Sequence, residues 1–395
     1  MERLELRESG SPERHRLPAD VAAALNQLDV ATVTPAGGGD WTVANIRKVG
    51  VVRVADCQVT IHPKVPVARL FFLMGYSLDR DFWRDEGVAL AGDTDSDLVN
   101  TIAVAFLRHA ARATGQGLLQ GYEVHEESLP LVRGRIDLPA QIGRRGGLAF
   151  PAQVVFDEFT VDIAENRLLL SAARRLLGLS TLTPRLRTDL RKMTQALDGV
   201  TPLAGGQPLP RVRFTRLNAR YRAPLVLAEL ILGNSSLDQD TGDVDATAFL
   251  FDMWRIFEDF VATALADGLE DRGGTATSQA TGRYLDAGSQ VALRPDLLWH
   301  DGGRPKAVVD AKYKAVRSAA HPNADVYQML AYCVRFDLDT GHLVYAKGAE
   351  DPAVHEVIGH KASILCHAVD LDQSPFALLD QMSRLAERIS GQAHR

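Results

Sequence analysis

An α+β fold is predicted by three features of the sequence. The first 65 residues alternate short β-prone runs with turns. The middle carries amphipathic helical stretches, and the last third reads helix, strands, helix, strands, helix. That last order suits a mixed sheet flanked by helices. With 395 residues the chain is long enough for two or three domains, each with its own core. The expected division is an N-terminal mostly-β module over 1–95, a helical/β middle region over 96–240, and a mixed sheet with helices over 241–395.

Taken in order, Ala31–Thr34, Val49–Val54 and Gln58–His62 read as strands, with Gly37-Gly38-Gly39-Asp40 as a turn. Leu70, Phe71, Met74 and Leu78 share one stripe and predict a helix over Val67–Leu78. Asp93-Thr94-Asp95-Ser96-Asp97 is an acidic linker or cap before a helix reaching about Ala113. β-Like segments follow near Leu118–His125 and Pro130–Ile136, then helices over Asp162–Leu179 and Leu186–Leu197. The Pro- and Gly-rich run Thr201–Pro210 predicts a loop. Arg211–Leu217 reads as a strand with arginines on one face, and Leu225–Leu232 as a helix. The polar, acidic run Asp238–Asp245 marks the main boundary. Beyond it, Phe249, Met253, Phe257, Phe260 and Ala264 predict a helix reaching Leu269. Strands are expected at Gln290–Trp299, Lys306–Tyr313, His342–Ala346, Val354–Ile358 and Ser363–Val369, with helices at Ala324–Arg335 and Pro375–Ile389.

Composition narrows the function classes. Apolar residues make up 46% and charged residues 24%, ordinary values for a soluble globular chain. No run approaches the roughly 20 apolar residues of a membrane span. Met1-Glu2-Arg3-Leu4-Glu5-Leu6-Arg7-Glu8 has the pattern of neither a signal nor a transit peptide. Cys57, Cys333 and Cys366 form no zinc spacing, so a reduced, cytoplasmic protein is expected. A net charge of −6 argues against coating nucleic acid by bulk electrostatics. Locally, nine Arg or Lys lie between Pro184 and Arg222, a tract that suits phosphate, an acidic protein surface or plain solvation.

The chemistry concentrates in the last third. Leu293-Arg294-Pro295-Asp296 is followed by a glycine turn and then Val308-Val309-Asp310-Ala311-Lys312-Tyr313-Lys314. Side chains alternate along a strand, so Asp310 and Lys312 project from one face. An acid and a lysine inside a buried strand are costly without compensation, which makes chemistry the best reason for their presence. Asp296 and Asp310 supply the hard oxygen ligands that Mg²⁺ prefers, and Lys312 a cation beside an attacking water. A symmetric hairpin about Asp301–Gly302 sets Asp296 opposite Ala307, so a register shift is required, expected at Pro295. Glu258 is a carboxylate at the apolar edge of its helix, between Phe257 and Phe260. Gln328 and Tyr332, one turn apart, share a helix face.

The order helix-Glu258, Arg294-Pro295-Asp296, Asp310-Ala311-Lys312-Tyr313-Lys314, then Tyr327-Gln328-Met329-Leu330-Ala331-Tyr332 resembles the PD-(D/E)xK nuclease superfamily. More narrowly it resembles the McrC family of McrBC modification-dependent restriction systems. His62-Pro63-Lys64-Val65, Arg133-Gly134-Arg135, Phe156-Asp157-Glu158, Glu165-Asn166-Arg167 and Phe251-Asp252-Met253-Trp254 extend the likeness over nearly the whole chain. The resemblance implies a C-terminal PD-(D/E)xK sheet over 241–395 and an N-terminal adaptor, with the 1–95 module as its docking part, that docks on an McrB-like AAA+ GTPase and stimulates it. It implies Mg²⁺-dependent cutting of modified double-stranded DNA. Asp296, Asp310 and Glu258 would hold the metal, Lys312 would assist the water, and Gln328 would be an auxiliary. Two other readings stay open: a non-catalytic activator or scaffold of the GTPase, and an autonomous RecB-like repair nuclease.

Other patterns carry no such chemistry. His355-Glu356-Val357-Ile358-Gly359-His360 has one residue too many for a zinc helix. No P-loop signature and no G-x-S-x-G elbow is present.

Overall fold

Strands of alternating or wholly apolar residues alternate with amphipathic helices along nearly all of the chain. The structure, a computed structural model, describes residues 2–8, 11–80, 83, 98–146, 150–233, 246–315, 323–347 and 353–393. The N-terminal part contains β1 (Glu2–Arg7), β2 (Glu13–Arg16), α1 (Ala19–Gln27), β3 (Thr32–Gly37), β4 (Asp40–Ala44), β5 (Lys48–Val54), β6 (Cys57–His62) and α2 (Val67–Leu78). The middle contains α3 (Leu98–Thr114), β7 (Gly121–Leu129), β8 (Arg135–Ile136), α4 (Leu138–Arg145), β9 (Ala152–Thr160), α5 (Ala164–Leu177), α6 (Pro184–Ala196) and α7 (Arg222–Gly233). The last part begins with β10 (Ala246–Asp252), α8 (Met253–Glu270), β11 (Thr275–Ser278), β12 (Arg283–Tyr284), β13 (Ala292–Leu293) and β14 (Leu297–Asp301). It ends with β15 (Arg304–Ala315), α9 (Asn323–Phe336), β16 (Thr340–Lys347), β17 (Ala353–Glu356), β18 (Ser363–Ala368) and α10 (Pro375–Ala393). The α+β class holds.

Two units result: Met1–Thr101 with Asn234–Arg395, and Ile102–Gly233. The expected 1–95 and 241–395 segments thus share one unit. β10 pairs antiparallel with β5, closing a sheet in the order β1-β6-β5-β10. Within the same unit, α8 packs against α2, where the Tyr76 hydroxyl donates to Asp267 Oδ2 at 2.8 Å. A small sheet, β2-β4-β3, completes the N-terminal portion.

The six-stranded sheet of this unit has the order β11-β14-β15-β16-β18-β17. β15, β16 and β18 run parallel, and β14 is antiparallel to β15. α9 covers one face: Met329, Tyr332, Cys333 and Phe336 pack with Leu343, Tyr345 and Ile364. Gly341 makes that approach possible, because a Cβ there would lie 2.6 Å from Met329 Sδ.

In the second unit, β7, β9 and β8 form an antiparallel sheet, and Leu168, Leu169, Leu176, Leu190 and Leu225 lie in the buried interior. Asn166, fully buried, donates from Nδ2 to the carbonyls of Leu119 and Val161 at 2.8 and 2.7 Å. Glu165-Asn166-Arg167 is therefore a bracing motif.

Several expectations need correction. Phe249 belongs to strand β10, and the helix begins at Met253. Arg211–Leu217 is not a strand: its backbone has no ladder partner, and Arg211, Arg213 and Arg216 are exposed on a loop. Helix α1 and strand β9 were not foreseen as elements. The acidic segments 93–97 and 238–245 lie outside the described residues. No helix among the described residues is long and apolar enough to cross a membrane.

Candidate active site

The β14–β15 hairpin turns at Gly302 and Gly303, whose φ values of +58° and +75° suit glycine. Asp301 pairs with Arg304, but Leu297 pairs with Val309, because the register shifts between Trp299 and His300. Lys306 is the extra residue of that bulge. Without it, Asp296 would face Val309, whose side chain points to the opposite side of the sheet. With it, Asp296 comes opposite Asp310. The expected turn at Asp301–Gly302 is corrected to Gly302–Gly303, which moves the residue facing Asp296 from Ala307 to Val309, and the bulge, not Pro295, supplies the last step to Asp310.

Asp296 Oδ2 accepts a hydrogen bond from the Ala311 N–H at 2.7 Å, which fixes its carboxylate against the strand carrying Asp310 and Lys312. Asp310 is 2% exposed, and β15 lies between β14 and β16. That placement excludes a solvated ion pair on an edge strand. Lys312 Nζ forms an ion pair with Asp310 Oδ2. Burial works against the Lys312 ammonium, but the charge and hydrogen bond of Asp310, with Asp296 and Asp325, override it and raise its pKa.

Glu258 projects into the same electrostatic neighbourhood from α8. Burial first, then the charge of Asp296, push its carboxyl up to about 8, against the attraction of Lys312. Burial and then Asp310 push Asp296 up to about 7, against the Ala311 N–H and Lys312. Each carboxylate makes its neighbours harder to ionise, the condition a bound cation relieves. Among the described residues, no group of three or more His, Cys, Asp or Glu side chains is placed so that it could hold a metal ion. The donor set nonetheless fits Mg²⁺, which binds through one or two carboxylates and keeps several waters.

Gln328 donates from Nε2 to the Tyr332 hydroxyl at 2.9 Å, as their shared face predicts. Burial first, then the charges of Asp310 and Asp296, raise the Tyr332 pKa, so this pair borders the carboxylates. The five sequence candidates Asp296, Asp310, Lys312, Glu258 and Gln328 therefore belong to one neighbourhood. Two residues were missed. Asp325, buried on the first turn of α9, accepts from the Tyr345 hydroxyl at 3.1 Å. Asp325 lies three residues before Gln328 and seven before Tyr332, a helical spacing that offered a signal. Tyr345 offered none, since only strand pairing brings it beside Lys312.

Comparison with known proteins places the fold. A family model described as "McrBC 5-methylcytosine restriction system component" matches residues 44–346, well over half of the chain. The chain belongs to that McrBC family. The McrC resemblance read from the motifs holds. A chain from the refined half-complex of Thermococcus gammatolerans McrB AAA+ hexamers with bound McrC is similar at a TM-score of 0.60 and 18% identity. The match covers 98% of this chain and 100% of that one, which shows a shared fold. A chain of the Thermococcus gammatolerans McrBC complex gives a TM-score of 0.39 and 20% identity over 68% of this chain and 88% of that one. No curated protein matches.

Proposed function

We propose that this McrBC-family chain is the Mg²⁺-dependent DNA endonuclease subunit of a restriction system, with a PD-(D/E)xK catalytic sheet, acting in the cytoplasm. One observation carries the reading: the β-bulge brings Asp296 onto the face of Asp310 and Lys312 inside a buried sheet. Asp296 and Asp310 would hold the metal, with Glu258 completing its surroundings. Mg²⁺ supplies charge neutralisation at the scissile phosphate when bound. Lys312 orients water and offsets negative charge building on the phosphate oxygens. Gln328, held by Tyr332, lends a hydrogen-bonding group at the rim. Water attacks phosphorus and gives up a proton, the bridging P–O bond breaks, and the leaving oxygen takes up a proton, giving one phosphate and one hydroxyl end.

The partner is an McrB-like AAA+ assembly, in keeping with the McrB AAA+ hexamers with bound McrC of the similar complex, and the motif resemblance makes it a GTPase whose hydrolysis the chain stimulates. The second unit supports a docking role: Tyr122, Val124, Leu131, Leu138, Ile142 and Phe159 are exposed there. The DNA is double-stranded and modified, in keeping with the 5-methylcytosine system that describes the family.

The test is cleavage of modified and unmodified plasmid by the chain with its partner GTPase, Mg²⁺ and GTP. Asp310→Ala and Lys312→Ala are each expected to lower cutting by about 10²–10³-fold or more while GTPase stimulation persists. Equal cutting by all three proteins sinks the site assignment. Stimulation without any cutting by wild type favours a non-catalytic activator, and cutting without the partner favours an autonomous nuclease.

A further inference from the structure

Lys312 has a second neighbour that the metal site does not require. In the parallel pairing of β15 with β16, Lys312 lies beside Tyr345, so the two side chains leave the same face of the sheet. Tyr345 is 1% exposed, and its hydroxyl donates to Asp325 Oδ2 at 3.1 Å. Asp325 is itself 6% exposed, on the face of α9 that carries Met329 and Tyr332 against this sheet. The Lys312 ammonium also feels the charge of Asp325 in addition to those of Asp310 and Asp296.

An acid in the first turn of a helix has an ordinary explanation, favourable interaction with the helix dipole. That role needs no burial and no tyrosine. A buried carboxylate is expensive, and this one is fixed by a buried hydroxyl on the strand adjoining the lysine. Asp310 alone is also a poor anchor for Lys312, because a carboxylate engaged with a divalent cation has less charge to offer an ammonium. A second acid away from the metal keeps the lysine aimed when the first is engaged.

We propose that Asp325, braced by Tyr345, is a positioning residue that holds the Lys312 ammonium in place. The proposal rests on the nuclease reading above.

Its test uses the full chain assembled with its GTPase partner, in single-turnover cleavage at saturating DNA and Mg²⁺. Asp325→Asn is expected to slow cleavage by about 10–100-fold, the usual cost of losing an outer-shell partner. Asp325→Glu should recover part of that rate. Tyr345→Phe should cost a factor of about 2–10, the worth of one hydrogen bond. Mg²⁺ affinity by calorimetry and GTPase stimulation should stay at wild-type values in all three, and the unfolding midpoint should fall no further in Asp325→Asn than in Tyr345→Phe, which loses the same buried hydrogen bond. Wild-type cleavage by Asp325→Asn overturns the proposal and leaves the nuclease reading intact. A rate loss that tracks Mg²⁺ affinity overturns it in favour of a metal ligand, and one that tracks the unfolding midpoint in favour of a structural acid. If Asp325→Asn does not fold, the rate of Tyr345→Phe decides, with no change counting against. Undiminished cutting by Lys312→Ala, run alongside, overturns both readings together.

Discussion

The two units treat polar groups in opposite ways. In the six-stranded sheet of the first, Asp310, Lys312, Asp296 and Glu258 share a partly or wholly buried neighbourhood in which each carboxylate raises the proton affinity of another. In the second, polar side chains brace the backbone and one another: Asn166 Nδ2 holds two carbonyls, and the part-buried Asp162 accepts from Arg167 and Thr201. Its sheet meanwhile leaves apolar side chains such as Tyr122, Val124 and Phe159 exposed. Frustrated charge inside and apolar surface outside are both costs to the isolated fold, and each is a cost that the proposed metal and the proposed partner would relieve. Satisfied polar groups mark architecture. If that distinction is right, removing a crowded carboxylate such as Glu258 should stabilise the first unit, and removing a bracing polar group such as Asn166 should destabilise the second.

The largest effect is expected at Asn166. Asn166→Ala leaves two buried carbonyls without their donor, at about 1–3 kcal/mol each. The variant should lose roughly 2–4 kcal/mol in urea unfolding. Amide exchange should accelerate in α5 and in the segments around Leu119 and Val161. A loss below about 0.5 kcal/mol, the size of an ordinary surface change, would erase the contrast from the architectural side.

Glu258 tests the other side, and the sign reverses. Its carboxyl is raised from 4.5 to about 8 in the folded chain, so the native state holds a proton that the unfolded state has released. Stability therefore falls as pH rises from about 4.5 through about 8, where the unfolded state binds fewer protons. Asp296, raised to about 7, adds to the same slope. In metal-free buffer Glu258→Gln should show a shallower slope and at pH 9 exceed wild type by roughly 2 kcal/mol. Thermal unfolding across pH 5–9 with a chelator reads this directly. A variant less stable than wild type at pH 9 would make Glu258 a structural residue.

How far the sequence carried the reading follows the same division. Asp296, Asp310, Lys312 and Gln328 were legible because strand alternation and helix spacing are local rules. The helices Val67–Leu78 and Asn323–Phe336 were legible for the same reason. What failed was non-local. Phe249 fits the 3.6-residue spacing of Met253 and Phe257, yet its strand identity is fixed by pairing with Val51, nearly two hundred residues earlier. Arg211–Leu217 alternates like a strand but has no partner to pair with. The bulge at Trp299/His300 leaves no trace in residue type, although it decides which face Asp296 occupies. Asp325 was visible by helical spacing, but its meaning depends on Tyr345, which reaches Lys312 only through parallel pairing.

The smallest effect, and the finest test of the contrast, is at Asp162. Burial opposes its ionisation, but the hydrogen bond from Arg167, then those from Thr201, hold its carboxyl down at about 2. A depressed folded pKa means that the unfolded state binds the proton first, so the stabilisation is complete above the usual value of 3.8. It is lost as pH falls toward about 2. Asp162 keeps only part of its surface in solvent, so solvent screening trims the contribution to about 1 kcal/mol. Asp162→Asn should cost that much at pH 7 and nothing near pH 2, with the difference read from urea midpoints at the two pH values. The pH dependence of Asp162 thus runs opposite to that of Glu258: acid weakens the satisfied carboxylate and relieves the frustrated one. Should both variants shift stability in the same direction at neutral pH, the division between architectural and functional polar groups would not survive.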